Sequence, residues 1–353
     1  MIYTLDNIKQ DFVKSLDEIL KFIDLINLTK SQDISFARKS KFYSEINNSI
    51  NDIKEKINNT KDIQYNAIII SLYGAFELAI KESTKAFIKF CINNNFPLAN
   101  KLSKDYILSV AKSFERNSIN ESKNNIKDLN LFLNENDLSK FNPELTLLNY
   151  QNLRTDIVQK IANSIEINNV LNEAKDLEEF RQYIMEREGL SSIEQAILYI
   201  NRVTNPFQYI DDLVHNRNFI AHRGRAETRY DFRTIEGSII RELKILAFYY
   251  IKRIQEAWYY NCVNNNTDIK ELEILDIFDN SIICFNTHDT IIDKKSIILI
   301  KNGKNKIQIA NINSIQYNRN NIETSENNQD ISCCLNKVCK KTFKYFLYKP
   351  KAR

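Results

Sequence analysis

The sequence predicts a mainly α-helical protein with a small β-rich domain at its C-terminal end. Apolar residues recur at helical spacing over most of residues 1–265. The 353 residues include only 5 Gly and 4 Pro, so turns are few and periodic segments are long. The later residues form short runs in which β-branched and aromatic side chains alternate with polar ones. We expect an N-terminal helical hairpin over residues 1–60, a helical domain over 61–265 and a barrel-like β domain over 270–353.

The first predicted helix begins near Leu5 and ends at the polar stretch Thr29–Asp33. Its apolar positions recur with a period of about 3.6 residues. They are Leu5, Ile8, Phe12, Leu16, Ile19, Ile23 and Ile26. A second, more polar helix is predicted over Asp33–Asn58, and its position suggests that it pairs with the first helix as a hairpin.

The third predicted helix, Asp62–Cys91, has the pattern of a core helix. Its broad apolar face contains Ile69, Leu72, Phe76, Ile80, Phe87 and Phe90. Glu77 lies one turn from Tyr73 on a neighbouring face, and a carboxylate in so apolar a helix usually has a partner. The longest apolar stretch, Ala67–Ile80, is shorter than a bilayer span and contains Glu77, so no membrane segment is expected.

Five more helices and a set of strands follow along the chain. The helices are predicted over Lys104–Asn117, Gln151–Ile165, Ser192–Val203, Pro206–His222 and Ile235–Val263. The strand-like runs are SIICF, SIILI, KIQIANI, SIQY and KYFLY. Asn302 and Gly303 stand between two of these runs, and this dipeptide is typical of a tight hairpin turn.

Charge and cysteine content narrow the class of protein. The formal net charge is only +4, so a polyanionic partner must be argued from local clusters of basic residues. The N-terminal residues MIYTLDNIKQDFVK contain carboxylates where a signal peptide is apolar, and we expect a cytoplasmic protein with reduced thiols. Cys333, Cys334 and Cys339 lack the paired spacing of a zinc site and are expected to be small core residues. No metal or other cofactor is expected.

A charged residue interrupts the apolar face of the helix that follows Pro206. This face contains Phe207, Ile210, Leu213, Val214, Ile220 and Ala221. Arg217 occupies a position on the same face. Burying a guanidinium without a partner is costly, so Arg217 needs a carboxylate, a hydrated cavity or an anionic ligand. The purely structural alternative is an ion pair with Asp211, Asp212 or Glu77.

Asn218 and His222 lie on the same helix as Arg217. Residues four apart project about 40° from one another around a helix axis, whereas Arg217 and His222 are separated by about 140°. The Arg217 side chain is long enough to converge on the same cleft. Gly224 is an expected C-cap, which places His222 in the last turn. Cleavage of RNA by its own 2′-hydroxyl requires a base, an acid and a cation over the phosphate. Imidazole suits the first two roles and guanidinium the third.

The segment LVHNRNFIAHRG resembles the signature of the HEPN superfamily (higher eukaryotes and prokaryotes nucleotide-binding). The ribonuclease branch of that superfamily carries an Arg, a polar residue and, after a few variable residues, a His. Arg217, Asn218 and His222 occupy those positions. SLYGAFELAIKE and LLNYQNLRTDIVQKI are similar to other helices of bacterial HEPN-like nucleases of defence and toxin systems. The resemblance covers Asp62–Trp258 and implies a HEPN-type helical bundle, paired through its motif helices as a homodimer.

Basic and aromatic residues at the exit of the motif helix are candidates for binding RNA. Arginines there would hold the RNA backbone and a tyrosine would stack a base, although a solvated turn explains the same residues almost as well. These candidates are Arg223, Arg225, Arg229 and Tyr230.

The remaining polar residues receive supporting or structural roles. Glu77 is a candidate for orienting His222 or Arg217 across the bundle. On its own, His222 would be interpreted as a helix-terminal residue, and its pairing with Arg217 favours catalysis. His215 has no counterpart in the superfamily signature and is expected at the surface. His288 lies in the β-rich region and is expected to be structural.

The leading hypothesis is a metal-independent endoribonuclease that acts on RNA as a toxin or antiviral effector. His222 would be the general base or acid, Arg217 would stabilise the phosphorane-like transition state and Asn218 would order the site. The alternative is a catalytically silent HEPN scaffold that binds nucleic acid or a partner protein in the same cleft. A third possibility is that the domain acts only inside a larger defence complex, in which a partner supplies activation or the β domain senses a trigger. An antitoxin or a defence-system protein is the expected kind of partner. No motif identifies the RNA target or the role of the β domain.

Overall fold

The computed structural model of the chain describes residues 2–31, 52, 55, 60–114, 119–302 and 307–349. The described chain is mostly helical and ends in an antiparallel β-sheet, which confirms the predicted mainly α class. It divides into two compact units, one over residues 1–253 and one over 254–353. The helix predicted over Asp33–Asn58 falls outside the described residues, apart from Asp52 and Glu55, and so does its pairing with the first helix.

The described helices are numbered here in chain order. They are α1 Ile2–Ser31, α2 Lys61–Asn93, α3 Asn100–Ser113, α4 Ile119–Glu135, α5 Pro143–Leu147, α6 Thr155–Ser164, α7 Val170–Lys175, α8 Glu178–Arg187, α9 Ile193–Arg202, α10 Gln208–Arg223, α11 Phe232–Thr234 and α12 Ile240–Asn264. A 3₁₀ turn, Leu138–Lys140, precedes α5, and a π-helical segment, Ile235–Ile239, precedes α12. The sequence pattern predicts α1, α2, α3, α6, α9, α10 and α12, but it does not predict α4, α5, α7, α8 or α11.

α2 is a central helix of the first unit. Its side chains Leu72, Phe76 and Ile80 are fully shielded from solvent, and the helix packs against α1 and α10. Burying one such side chain stabilises the fold by about 1.5–3 kcal/mol. α1 buries its predicted apolar face except for Ile8, which is half-buried; the buried residues are Leu5, Phe12, Leu16, Ile19, Ile23 and Ile26. The packing of α2 against α10 brings the core helix next to the helix that carries the motif.

α2 is also the helix that bears on the membrane question. The whole helix, Lys61–Asn93, is long enough to cross a membrane, and an 18-residue window within it has a mean hydropathy of 1.3. It therefore exceeds the shorter apolar stretch Ala67–Ile80, from which the sequence argued against a membrane segment. However, 44% of that window is buried inside the protein. Burial against neighbouring helices is typical of a core helix in a globular unit.

A buried carboxylate fixes the start of α10. Glu242, in the first turn of α12, is fully buried. It accepts hydrogen bonds from Arg187 at 2.7 Å, from the Tyr183 hydroxyl at 3.0 Å and from the Tyr209 backbone N–H at 3.1 Å. Burial raises the pKa of Glu242 to about 8, although these donors favour its ionised form. Tyr209 lies in the first turn of α10, so this cluster anchors the motif helix at its N-terminal end.

The second unit contains a sheet whose strands are all paired antiparallel. The strands are β1 Ile269–Leu272, β2 Ile274–Phe278, β3 Ile282–Asn286, β4 Ile297–Lys301, β5 Ile307–Tyr317, β6 Asn320–Ile322, β7 Asp330–Leu335 and β8 Lys344–Tyr348. Their order is β1-β8-β4-β5-β7-β3-β2, with β6 paired to β5. β1 and β2 lie at opposite ends of this order, although Glu273 alone separates them in sequence. The end of β1 and the start of β2 therefore lie close together, and the barrel-like closure expected from the sequence stays a prediction.

The interior of this second unit includes two of the cysteines. Cys333 and Cys339 are fully buried among Ile, Leu and Phe side chains, whereas Cys334 is half-buried. Burial raises the pKa of Cys333 to about 12, so its thiol stays protonated at neutral pH. Cys284, Cys333, Cys334 and Cys339 carry thiols that are not joined in disulfides. Cys333 and Cys339 are small apolar core residues as expected, whereas Cys334 lies outside the core cluster.

The predicted hairpin and strand runs can be compared with the observed strands. β4 and β5 pair antiparallel, with Ile297 opposite Asn311 and Lys301 opposite Ile307. Gly303, in the predicted turn between them, falls outside the described residues. KIQIANI and SIQY are parts of one strand, β5, which has an irregularity in its register between Ile312 and Ser314.

Candidate active site

α10 presents one face to the core and carries the motif at its C-terminal half. Its buried apolar residues are Ile210, Leu213, Val214 and Ile220. Gly224 ends the helix with φ +71°, and its N–H donates to the Ile220 carbonyl at 2.8 Å. This left-handed conformation favours glycine. Ala221, which the sequence places on the apolar face, is exposed because the last turn extends beyond the core.

Arg217 is half-buried beside α2. Its guanidinium carbon lies 4.9 Å from the centroid of the Tyr73 ring, and its Nη1 donates to the Asn218 Oδ1 at 3.0 Å. Within the described residues Arg217 forms no ion pair with a carboxylate. The charge is therefore held by a ring face and an amide, neither of which neutralises it.

Asp211, the first carboxylate offered as a partner for Arg217, is committed elsewhere. It accepts hydrogen bonds from the Thr155 N–H at 2.8 Å, from the Thr155 hydroxyl at 3.2 Å and from the Asn205 amide at 2.8 Å. Burial raises the pKa of Asp211, while the Thr155 donors act in the opposite direction. Asp211 thus joins the start of α6 to the start of α10.

The other two candidate carboxylates also have different partners. Asp212 accepts a hydrogen bond from the Tyr230 hydroxyl at 2.8 Å. Glu77 lies 2.6 Å from the ammonium of Lys81, one turn further along α2. The three ion pairs considered for Arg217 as a structural alternative are therefore not formed.

Tyr73 is a residue whose place in the site the sequence did not reveal. Its side chain is 3% exposed, and its hydroxyl accepts a hydrogen bond from the Leu153 N–H at 3.3 Å. Burial raises the pKa of Tyr73, Glu77 adds to the increase, and Leu153 and Arg217 oppose it. The phenol is therefore neutral at physiological pH. Both Glu77 and Arg217 therefore influence the Tyr73 phenol, and the expected role of Glu77 in orienting Arg217 or His222 stays a prediction.

His222 lies in the last turn of α10 and is exposed. Within the part of the chain that the structure describes, its imidazole makes no hydrogen bond. Asn218, one turn earlier and half-buried, projects about 40° from it, whereas Arg217 projects about 140° from it around the axis. The imidazole is therefore exposed at the end of the helix, and the helical geometry separates its direction from that of Arg217.

The basic residues after the motif differ in how strongly they are engaged. Arg223 is exposed and lies 4.4 Å over the Phe219 ring. Arg225 is exposed and has no ion pair or hydrogen bond among the described residues. Arg229 pairs with Asp62 at the start of α2. Arg223 and Arg225 therefore keep their charge available to an anion, while that of Arg229 is partly neutralised.

Tyr230 is half-buried and contributes to the structure of its loop. Its ring meets Tyr209 at a centroid distance of 5.6 Å in an edge-to-face arrangement, and its hydroxyl donates to Asp212. Burial raises the pKa of Tyr230, and the hydrogen bond to Asp212 raises it further. A base that stacks on Tyr230 would have to share the ring with these contacts.

Three side chains fix the loop that follows α10. The Asn66 amide donates to the Gly224 carbonyl at 2.8 Å, and the buried Asn216 accepts the Thr228 N–H at 3.1 Å. The Tyr65 hydroxyl donates to the Thr228 carbonyl at 3.2 Å and accepts the Tyr230 N–H at 3.1 Å. These bonds hold the basic loop against α2 and α10 in a defined conformation.

The family of the chain follows from a match to residues 38–257, which is more than half of its length, by a family model described as RiboL-PSP-HEPN. The chain belongs to the RiboL-PSP-HEPN family. The match starts upstream of Asp62 and ends one residue before Trp258, so it contains nearly the whole stretch that resembles the HEPN superfamily. No curated protein matches the chain.

The RiboL-PSP-HEPN region contains α2 to α11, most of α12 and every candidate residue of the site. The match confirms that the chain is a member of the HEPN superfamily, while the roles of Arg217, Asn218 and His222 stay predictions. The strands β1–β8 lie outside the matched region.

The chain contains two histidines besides His222. His215, on the HEPN motif helix, is exposed and pairs with Glu227. His288 is exposed at a turn with φ 48°, where its backbone N–H donates to the Asn286 side chain at 2.7 Å. Across the described ranges, no group of three or more His, Cys, Asp or Glu is placed to hold a metal ion.

Proposed function

We propose that the chain is a metal-independent endoribonuclease that cleaves RNA through attack by the 2′-hydroxyl group. The observation that carries the proposal is the half-buried guanidinium of Arg217, which no carboxylate neutralises within the described residues. An anionic ligand such as a phosphodiester would complete its surroundings. The exposed imidazole of His222 ends the same helix, in a chain that belongs to a HEPN family.

In the proposed reaction the ribose 2′-oxygen attacks the neighbouring phosphorus and the bond from phosphorus to the 5′-oxygen breaks. His222 would take the proton from the 2′-hydroxyl or give one to the departing 5′-oxygen. Arg217 would contact the phosphate oxygens as negative charge develops on them, with Asn218 holding the guanidinium. The products are a 2′,3′-cyclic phosphate and a 5′-hydroxyl end.

The proposal includes a symmetric homodimer. Arg217 and His222 project about 140° apart on α10, so a second copy of the helix would complete a cleft with residues from both subunits. Mixing the Arg217→Ala and His222→Ala variants, each inactive alone, should restore cleavage through mixed dimers that hold one intact Arg217 and one intact His222. If mixing restores nothing while the subunits exchange, each site is built within one chain.

Cleavage by purified protein is the direct test of the proposed activity. RNA incubated with the wild type and a chelator should be cut, and Arg217→Ala or His222→Ala should lower the rate by about 100-fold or more. His215→Ala is the matched control, because His215 is exposed on the same helix and pairs with Glu227. Full activity in both site variants would refute the assignment, as would a wild type that cuts no RNA and binds it unchanged, as a silent scaffold would.

The cellular role proposed for this activity is that of a toxin or antiviral effector, alone or with an antitoxin or another defence protein. Expression of the wild type should arrest growth, and His222→Ala should relieve the arrest. Sequencing of RNA ends after brief induction would name the target. An equal arrest by the variant would favour a binding role instead of cleavage.

A further inference from the structure

The ring of Tyr73 forms the surface against which Arg217 rests. The guanidinium carbon of Arg217 lies 4.9 Å from the ring centroid. The ring itself is 3% exposed, and its hydroxyl is bound at the far end by the Leu153 N–H at 3.3 Å. Core packing and this hydrogen bond therefore fix the ring independently of Arg217.

We propose that Tyr73 is a positioning residue that holds the Arg217 guanidinium in place without neutralising its charge. This inference rests on the proposed function, because it concerns the group assigned there to the phosphate. A carboxylate at this position would pair with Arg217 and compete with an incoming phosphate. A ring face attracts the cation through its quadrupole and leaves the N–H donors at the guanidinium edge free.

The surroundings of Tyr73 keep it in this role. Glu77, one turn further along α2, binds Lys81 at 2.6 Å, so its carboxylate is occupied. Burial keeps the Tyr73 phenol protonated by raising its pKa, and no phenolate forms to neutralise Arg217 at physiological pH. Asn218 engages Nη1 of Arg217, which leaves the other donors of the fork available to an anion.

The contact can be measured without any assay of activity. In the NMR spectrum of protein labelled with ¹⁵N-arginine, the chemical shift of the Arg217 Nε–H proton should be displaced by the ring current of Tyr73. The signal of Arg217 is identified because it is lost in the Arg217→Lys variant. Tyr73→Phe should keep the displacement, because the ring remains. Tyr73→Leu should abolish it. An undisplaced Arg217 signal in the wild type would overturn the proposal, and this result does not depend on whether Tyr73→Leu folds.

A second measurement separates positioning from general support of the fold. Affinity is measured for an RNA blocked by 2′-O-methyl groups. Tyr73→Leu should weaken binding roughly tenfold and Tyr73→Phe about twofold or less. In the Arg217→Ala background, Tyr73→Leu should weaken binding no further, because the group it positions is absent. Equal weakening in both backgrounds would assign Tyr73 a structural role alone.

The two proposals can fail separately. A wild type that cuts no RNA contradicts the nuclease but leaves the ring-current signal of Arg217 as a test of the contact. Conversely, an active enzyme with an undisplaced Arg217 signal contradicts the positioning role of Tyr73 and leaves the nuclease intact.

Discussion

The two ends of α10 carry polar residues in opposite situations. At the start of the helix, Asp211 accepts three hydrogen bonds and the N–H of Tyr209 binds the buried Glu242. At the end, Arg217 contacts a ring and an amide, and the exposed His222 makes no hydrogen bond among the described residues. Both ends are charged, but only the first is satisfied by the protein itself.

This difference separates residues that hold the fold from residues that are available to a ligand. Removing a partner of a satisfied buried group leaves donors without acceptors, which lowers the free energy of unfolding. Removing a group that lacks protein partners leaves little unsatisfied, so its loss should appear in binding or catalysis. Substitutions at the start of α10 should therefore lower mainly the stability of the protein, and substitutions at its end should lower mainly its activity.

The largest stability loss is expected at Glu242. Glu242→Ala leaves Arg187, Tyr183 and the Tyr209 N–H without their shared acceptor, at a site where Glu242 is fully buried. Losing one partner of such a buried pair costs about 3–5 kcal/mol. Urea unfolding followed by circular dichroism measures this change.

The matched control for Glu242 is an exposed pair in the same unit. Lys160 and Asp156 lie 2.8 Å apart and are both more than half exposed. Lys160→Ala should change the free energy of unfolding by about 0.5 kcal/mol or less. Equal losses in Glu242→Ala and Lys160→Ala would contradict the anchoring role of Glu242.

A smaller loss is expected at Asp211. Asp211→Ala leaves the Thr155 N–H and the Asn205 amide without an acceptor, which should lower the free energy of unfolding by about 1–3 kcal/mol. Arg217→Ala should cost less stability while removing cleavage. Urea unfolding and RNA cleavage are measured on both variants. A lower free energy of unfolding for Arg217→Ala than for Asp211→Ala would contradict the difference between the two ends of α10.

A weaker effect on RNA binding should distinguish two arginines of the loop after α10. Arg225 has no partner among the described residues, so Arg225→Ala should lower the slope of log KM against log salt by about 0.7–1. Arg229 already pairs with Asp62, so Arg229→Ala should change the slope less. Cleavage rates at several salt concentrations measure both slopes, and a larger change in Arg229→Ala would reverse the assignment.

The smallest effect is expected at His215. This imidazole lies on the same helix as His222, but it pairs with Glu227 at the surface. His215→Ala should leave the cleavage rate within about twofold of the wild type, as exposed residues outside a site usually do. A loss as large as that of His222→Ala would move the catalytic imidazole to position 215.

Long helices with strong apolar spacing could be predicted from the sequence. α1, α2 and α10 bury most of the side chains that their period of about 3.6 residues selects, with Ile8 and Ala221 as exceptions. The sequence does not predict α4, because the described buried residues of this helix are few. Among them, Phe132 is the one large apolar side chain. Ala221 shows the limit of the pattern, since helical spacing does not tell where a helix extends beyond the core.

The motif residues could be proposed from the sequence, but their surroundings could not. Arg217 was noticed because a guanidinium interrupted an apolar face. Its contact with Tyr73 depends on how α2 packs against α10, and the two residues lie far apart in sequence. For the same reason the sequence could not show that Glu77 binds Lys81, or that Tyr230 binds Asp212.

The most direct test of the central claim uses one RNA in two forms. An RNA of defined sequence is mapped for its cut site, and the same RNA is then made with a single 2′-deoxyribose at that site. With chelator present, wild-type protein should cut the first RNA to a 2′,3′-cyclic phosphate end and leave the second intact at that position, because the attacking hydroxyl is missing. Equal cleavage of both RNAs would contradict the proposed chemistry of Arg217 and His222.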